Sequence, residues 1–85
     1  MVSRQEESEI TEGGEGDPLI VCHLGELLDA RSMTVTKLSE LVGVSVVNLS
    51  ILKNNRAKAI RYSTLAAICA ALECDVGDLL TRVNP

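Results

Sequence analysis

TVTKLSELVGVSVVNLSILKN, residues 34 to 54, is the stretch whose reading decides the fold. Thr34 stands where a helix N-cap belongs, because its hydroxyl can accept from a free backbone N–H of the first turn. Leu38, Leu41 and Val42 then recur at the spacing of one helical face. Gly43 follows them, at the place where a left-handed residue ends a helix at little cost. Two residues later Ser45 offers a second cap, and Leu49 and Leu52 begin a second apolar face. The sequence of cap, apolar triplet, glycine stop, new cap and apolar pair predicts two short helices joined by a tight turn.

The segment resembles the Cro and phage-repressor class of helix-turn-helix domains, also called the Xre class. The pattern that carries the resemblance is a small residue in the middle of the first helix, a glycine four places on, and aliphatics six and nine places after that. Here these are Ser39, Gly43, Leu49 and Leu52. Alanine is commoner where Ser39 stands. The continuation IRYSTLAAICAALECDVGDLL (60–80) is similar to the last two helices of the same domain, so the resemblance covers roughly residues 20 to 81. It implies a λ-repressor-like bundle and a small regulator that binds double-stranded DNA by sequence, with the helix of residues 45–54 in the major groove.

Eighty-five residues permit one small domain. Chains of this size bury only about 60% of their extended surface, so a dimer would help stability. One tyrosine is the only aromatic residue, which leaves an aliphatic core. No apolar run approaches the roughly 20 residues of a membrane span, and no signal-peptide pattern opens the chain. The expectation is a cytoplasmic protein with no membrane partner.

The net charge of −4 argues at first against nucleic acid, but its distribution points the other way. Residues 1–17 hold six acids against Arg4 alone, a net of −5. Residues 18–85 hold seven bases and six acids, and Lys53, Arg56, Lys58 and Arg61 fall within nine residues that contain no acid. A local basic run matters more to a polyanion than the overall balance. Cys22, Cys69 and Cys74 form no C-x-x-C pair and are odd in number, so they read as small buried hydrophobes in a reducing compartment. Cys22 and His23 with the other two lack any familiar metal-ligand spacing, and no metal or cofactor is expected.

Residues 1–18 are acidic, glycine-containing and poor in aliphatics, which predicts a disordered tail ahead of a helix-turn-helix domain over 19–85. The tail is either a solubilising segment or one that folds over the basic run and competes with DNA. LIVCHL (19–24) reads as a short strand over 19–23, a leader often carried by small members of the resembled class, and residues 81–84 are its candidate partner. Helix one is predicted over 24–30 with Leu24, Leu27 and Leu28 inward. KNNRAKAIRYS (53–63) reads as a loop in which Asn54 and Asn55 tolerate left-handed backbone. Helix four starts from Ser63 with Leu65, Ile68 and Leu72 inward, and helix five is capped by Asp75 with Asp78 three residues on. Five helices with short connections predict an all-α, five-helix bundle.

With Leu49 and Leu52 turned to the core, a step of about 100° per residue puts Val47, Ser50, Ile51 and Asn54 on the far side of helix three. Val46 and Lys53 lie on its flank and Ser45 at its tip. Ser45, Val46, Val47, Ser50, Ile51 and Asn54 are therefore the candidate base contacts. Aliphatics cannot hydrogen-bond to bases but can touch thymine methyls, which leaves polar readout to Ser50 and Asn54. Thr34, Thr36, Lys53, Arg56, Lys58 and Arg61 are the candidate phosphate contacts. Alternatively Val47 and Ile51 form an apolar contact for a protein, as in an antitoxin-like or adaptor module. One histidine, no nucleophile–base pair and no phosphate loop leave nothing to carry catalysis, and no small-molecule substrate is evident.

Overall fold

Five short helices and four strands succeed one another along residues 10–12 and 19–83, the part of the chain that the computed structural model describes. In order they are β1 (Ile10–Glu12), β2 (Ile20–Cys22), α1 (Leu24–Ala30), α2 (Val35–Val42), α3 (Val46–Lys53), β3 (Ala57–Ile60), α4 (Tyr62–Leu72), α5 (Val76–Leu79) and β4 (Leu80–Arg82). Leu24, Leu38, Leu49, Ile68, Leu72 and Leu79 are fully buried, so every helix sends at least one aliphatic to a common core. Each such side chain contributes on the order of 1.5–3 kcal/mol relative to exposure, which is how helices of one to three turns hold together.

The expectation of an all-α bundle is corrected by two antiparallel sheets of two strands each, β1 with β3 and β2 with β4. The β2–β4 pair matches the leader strand and C-terminal partner expected above: Ile20 lies opposite Arg82, Val21 opposite Thr81 and Cys22 opposite Leu80. The β1–β3 pair was expected on neither side. Ile10 lies opposite Ile60 and Glu12 opposite Ala57, with an irregularity after Thr11. Ile10 is buried in the core. The segment read as disordered thus contains a strand, and the segment read as a loop contains its partner. Residues 1–9 and 13–18 of that tail lie outside the described residues.

Helix ends account for much of the remaining order. Thr34 accepts from the Lys37 N–H at 3.0 Å and Ser45 from the Asn48 N–H at 3.1 Å, the two caps read from the sequence. Asp75 precedes α5, and its N–H donates to Asp78 Oδ2 at 2.9 Å. Helix α4 begins slightly earlier than expected, with Arg61 rather than Ser63 as N-cap residue. The C-terminal ends of α1, α3 and α4 share one closing device. Met33, Arg56 and Cys74 each donate a backbone N–H to the carbonyl five residues back, those of Leu28, Ile51 and Cys69. The residue before each donor is left-handed: Ser32 (φ 51°), Asn55 (φ 62°) and Glu73 (φ 54°). This is the Schellman closure, made three times without its usual glycine. Arg31 Nε donates to the Leu72 carbonyl, so the end of α1 also satisfies an acceptor at the end of α4.

Asn55 has a second task. The bonds His23 N–H to Leu79 O (2.7 Å) and Val83 N–H to Leu19 O (2.9 Å) show which β2 residues face β4. By strand alternation Cys22 turns its N–H away from β4, and Asn55 Oδ1 accepts it at 2.7 Å. The outer edge of β2 is thereby tied to the turn that follows α3. Between that edge and β3 lies a hollow of about 250 Å3 floored by Leu52.

Replacing Asn55 by alanine should cost about 2–3 kcal/mol, the sum of left-handed strain and an unmade backbone hydrogen bond. Asn55→Gly should recover the first part only. Denaturant melts of the three proteins check this; equal stability of the alanine and glycine variants would show that the backbone angle contributes nothing.

Candidate nucleic-acid interface

Gly43 ends α2 with φ +76° and ψ 20°, a conformation that turns the chain sharply. The bend between α2 and α3 is 119°. Ser39 Oγ donates to the Val44 carbonyl at 2.6 Å, bracing the corner from inside α2. Val44 itself is buried, so the turn carries its own apolar anchor. The small residue expected at Ser39 is therefore both small enough for the helix pair and polar enough to satisfy a turn carbonyl. Leu49 and Leu52 are buried and hold one side of α3 to the core.

The other side of α3 is open at its two ends and half-covered between them. Val47 is 69% exposed and Val46 41% exposed. Lys53 and Asn54 are exposed, Ser45 is exposed at the tip, and Ser50 is half-buried. Ile51 departs from this set: it is half-buried and packs against the core that includes Ile10. Strand β1 packs against α3, which explains the cover. The apolar pair read from helical periodicity thus separates into an exposed Val47 and a sheltered Ile51. Nothing in periodicity could have shown this, because the strand that packs against α3 lies about 40 positions away.

Of the candidate phosphate contacts, Thr34, Thr36, Lys53, Arg56, Lys58 and Arg61 are all exposed. Thr34 uses its oxygen as the α2 cap, which leaves its hydroxyl hydrogen available. Lys53 lies across α1, its Cε 3.4 Å from where a Cβ at Gly25 would stand. The backbone N–H of Arg56 is folded back onto the Ile51 carbonyl at 2.9 Å, so the basic run starts at the last turn of α3. Arg56 and Arg61 are also engaged within the fold. Lys37, exposed in the first turn of α2 beside Thr34, is absent from the candidates read from the sequence. Its signal is a cation in the first turn of α2, where the helix dipole gives it no support.

The other polar groups suit structure better than chemistry. His23 Nε2 is 2.8 Å from Thr81 Oγ1, and its Nδ1 is 3.3 Å from Glu26 Oε1, which makes it a clasp between β2, α1 and β4. Burial pushes the thiols of Cys22 and Cys69 up from their ordinary values, so both stay protonated. No group of three or more metal-binding side chains occurs among the described residues. None of their helices is alone long and apolar enough to cross a membrane.

A family description, the Cro/C1-type helix-turn-helix DNA-binding domain, matches residues 23–85. The chain belongs to that family. It is 59% identical over 61 residues to the HTH-type transcriptional regulator YozG of Bacillus subtilis, spanning 72% of this chain and 73% of that one. It is also similar to the crystal structure of the transcriptional regulator VanUg, at 30% identity and a TM-score of 0.65, over 87% of this chain and 99% of that one. This Cro/C1-type protein is a DNA-binding regulator, and the α2–Gly43–α3 corner is the motif that gives the family its description.

Two glycines test where the backbone angle matters. A Cβ at Gly43 would meet nothing within 4 Å, so Gly43→Ala should cost about 1–2 kcal/mol from the backbone angle alone. A Cβ at Gly77 in α5 would also meet nothing, and its φ is ordinary. Gly77→Ala should therefore stabilise by about 0.5–1 kcal/mol. Thermal melts that moved both variants in the same direction would contradict these assignments.

Proposed function

We propose that this Cro/C1-type domain reads double-stranded DNA by sequence with α3 in the major groove, and that it does so as a homodimer. The observation that carries the reading is the exposed part of α3, held at 119° to α2, with exposed cations in its last turn and in the strand that follows it. In this arrangement Ser50 and Asn54 supply the hydrogen bonds to base edges, and Ser45 sits at the tip. Val46 and Val47 touch thymine methyls. Ile51, sheltered by its own monomer, contributes at most through its exposed edge. Thr34, Thr36, Lys53, Arg56, Lys58 and Arg61, joined by Lys37, meet phosphates and set the register on the duplex. DNA as the partner puts the protein's work in the cytoplasm, and no catalytic step is assigned to it.

A single domain of this size offers little contact area, which favours two copies on paired half-sites. Leu19 and Val83, hydrogen-bonded to each other at the open end of the β2–β4 pair, are both exposed, and apolar surface of that kind suits a second copy. The competing reading is an adaptor or antitoxin-like module that holds a protein with Val46 and Val47. It draws on the same exposed pair.

Selection from random duplexes should return two half-sites about one helical turn apart. Lys58→Ala should weaken binding to every sequence alike and reduce the salt slope by about 0.9. Asn54→Ala should instead lose about 1–3 kcal/mol of discrimination at one base position. If DNA leaves the amide signals of residues 45–61 in place, the protein-binding reading replaces this one. If Lys58→Ala alters base preference and spares the salt slope, its role as a phosphate contact is wrong.

A further inference from the structure

The three Schellman closures differ in the side chains they bring together. This turn places the residue that donates the long bond against the residue that accepts it, and the contact is usually apolar. In α1 the pair is Leu28 and Met33, which fits the rule. In α4 the pair is Cys69 and Cys74.

The geometry at that end is tight. The Cys74 N–H donates to the Cys69 carbonyl at 3.0 Å. With standard bond lengths on either side, this holds the two Cα atoms to less than about 7 Å. Disulfides span Cα separations of about 4.4–6.8 Å. Beyond burial, the Cys74 side chain stands close enough to Cys69 to hold its thiol above the ordinary value, so the side chains are near neighbours as well as the backbones. Cys69 is 7% exposed, whereas Cys74 is half-buried and reaches solvent. The third thiol, Cys22, is buried in β2.

We propose that Cys69 and Cys74 form a dithiol site that closes to an intramolecular disulfide by exchange with a low-molecular-weight disulfide. Cys74, the accessible member, gives its proton to solvent and attacks one sulfur of the small disulfide. That sulfur–sulfur bond breaks, one small thiol leaves, and a mixed disulfide remains on Cys74. Cys69 then attacks Cys74 Sγ, loses its own proton and expels the second small thiol. The protein gives up two electrons and two protons, and the small disulfide takes them up as two thiols. Burial, Cys74 itself and the carboxylates of Asp75 and Asp78 all disfavour a thiolate at Cys69. Proximity imposed by the backbone closure, not thiolate abundance, therefore drives the second step. The product bridges the left-handed Glu73 and pins the last turn of α4 to the entry of α5.

The test uses the full chain, incubated natively with oxidised glutathione, then unfolded, alkylated and mapped by mass spectrometry. The expected product is lighter by two hydrogen atoms, with a Cys69–Cys74 cross-link, an alkylated Cys22 and a melting temperature raised by a few degrees. Cys22→Ser should close as the parent does. Cys74→Ser should neither close nor carry glutathione on Cys69. A product that stops at glutathione on Cys74, a cross-link that includes Cys22, or a chain left wholly reduced would each overturn the assignment.

Discussion

The corner between α2 and α3 is the constraint on which the rest of the molecule depends. Gly43 supplies a backbone angle that an L side chain adopts only at a cost. Ser39 ties the far side of the turn back to the helix it leaves. Together they fix the direction of α3, and burial of Leu38, Val44, Leu49 and Leu52 holds that direction against the core. A helix of eight residues has little stability of its own. Its exposed side is a usable surface only because the buried side is so firmly set.

The same economy appears at the other helix ends. Ser32, Asn55 and Glu73 take left-handed angles that glycine would take more cheaply. At Asn55 the gain is visible, since its side-chain oxygen satisfies a β2 N–H that glycine would leave to water. That bond couples the turn after α3 to the β2–β4 sheet. Strand β1 adds a clamp from the other side by pairing with β3 and burying Ile10. The stretch that carries Arg56, Lys58 and Arg61 is therefore a fixed strand and cap, not the loose loop that its composition suggests.

What the sequence made legible was mostly set by neighbours within a turn, although the N-cap of α4 and the left-handed Ser32 and Glu73, equally local, were missed. The caps Thr34 and Ser45, the stop at Gly43, the left-handed Asn55 and the Asp75–Asp78 pair are all local devices. The β2–β4 pair was also readable, because an apolar run at one end needed an extended partner and the other end supplied one. The β1–β3 pair was not. Three residues of strand in an acidic, glycine-rich stretch give no alternation to detect, and Ile10 pairs with Ile60, fifty positions away. The same distance effect explains Ile51. Helical periodicity puts it on the side away from Leu49 and Leu52, but the strand packed against α3 has no local signature.

An aliphatic recognition surface carries its own logic for discrimination. Hydrogen-bonding side chains reject a wrong base by leaving a polar group unpaired, at a cost of about 1–3 kcal/mol. Val46 and Val47 have no such groups, so a wrong base beside them costs only lost methyl contact. On the proposed docking, specificity concentrates on Ser50 and Asn54, four positions apart at the C-terminal part of α3, with the remainder coming from half-site spacing and duplex shape. The helix that Gly43 and Asn55 hold at both ends suits that demand. With few polar contacts to correct a poor fit, each must arrive already in place, and a rigid α3 loses the least entropy on docking.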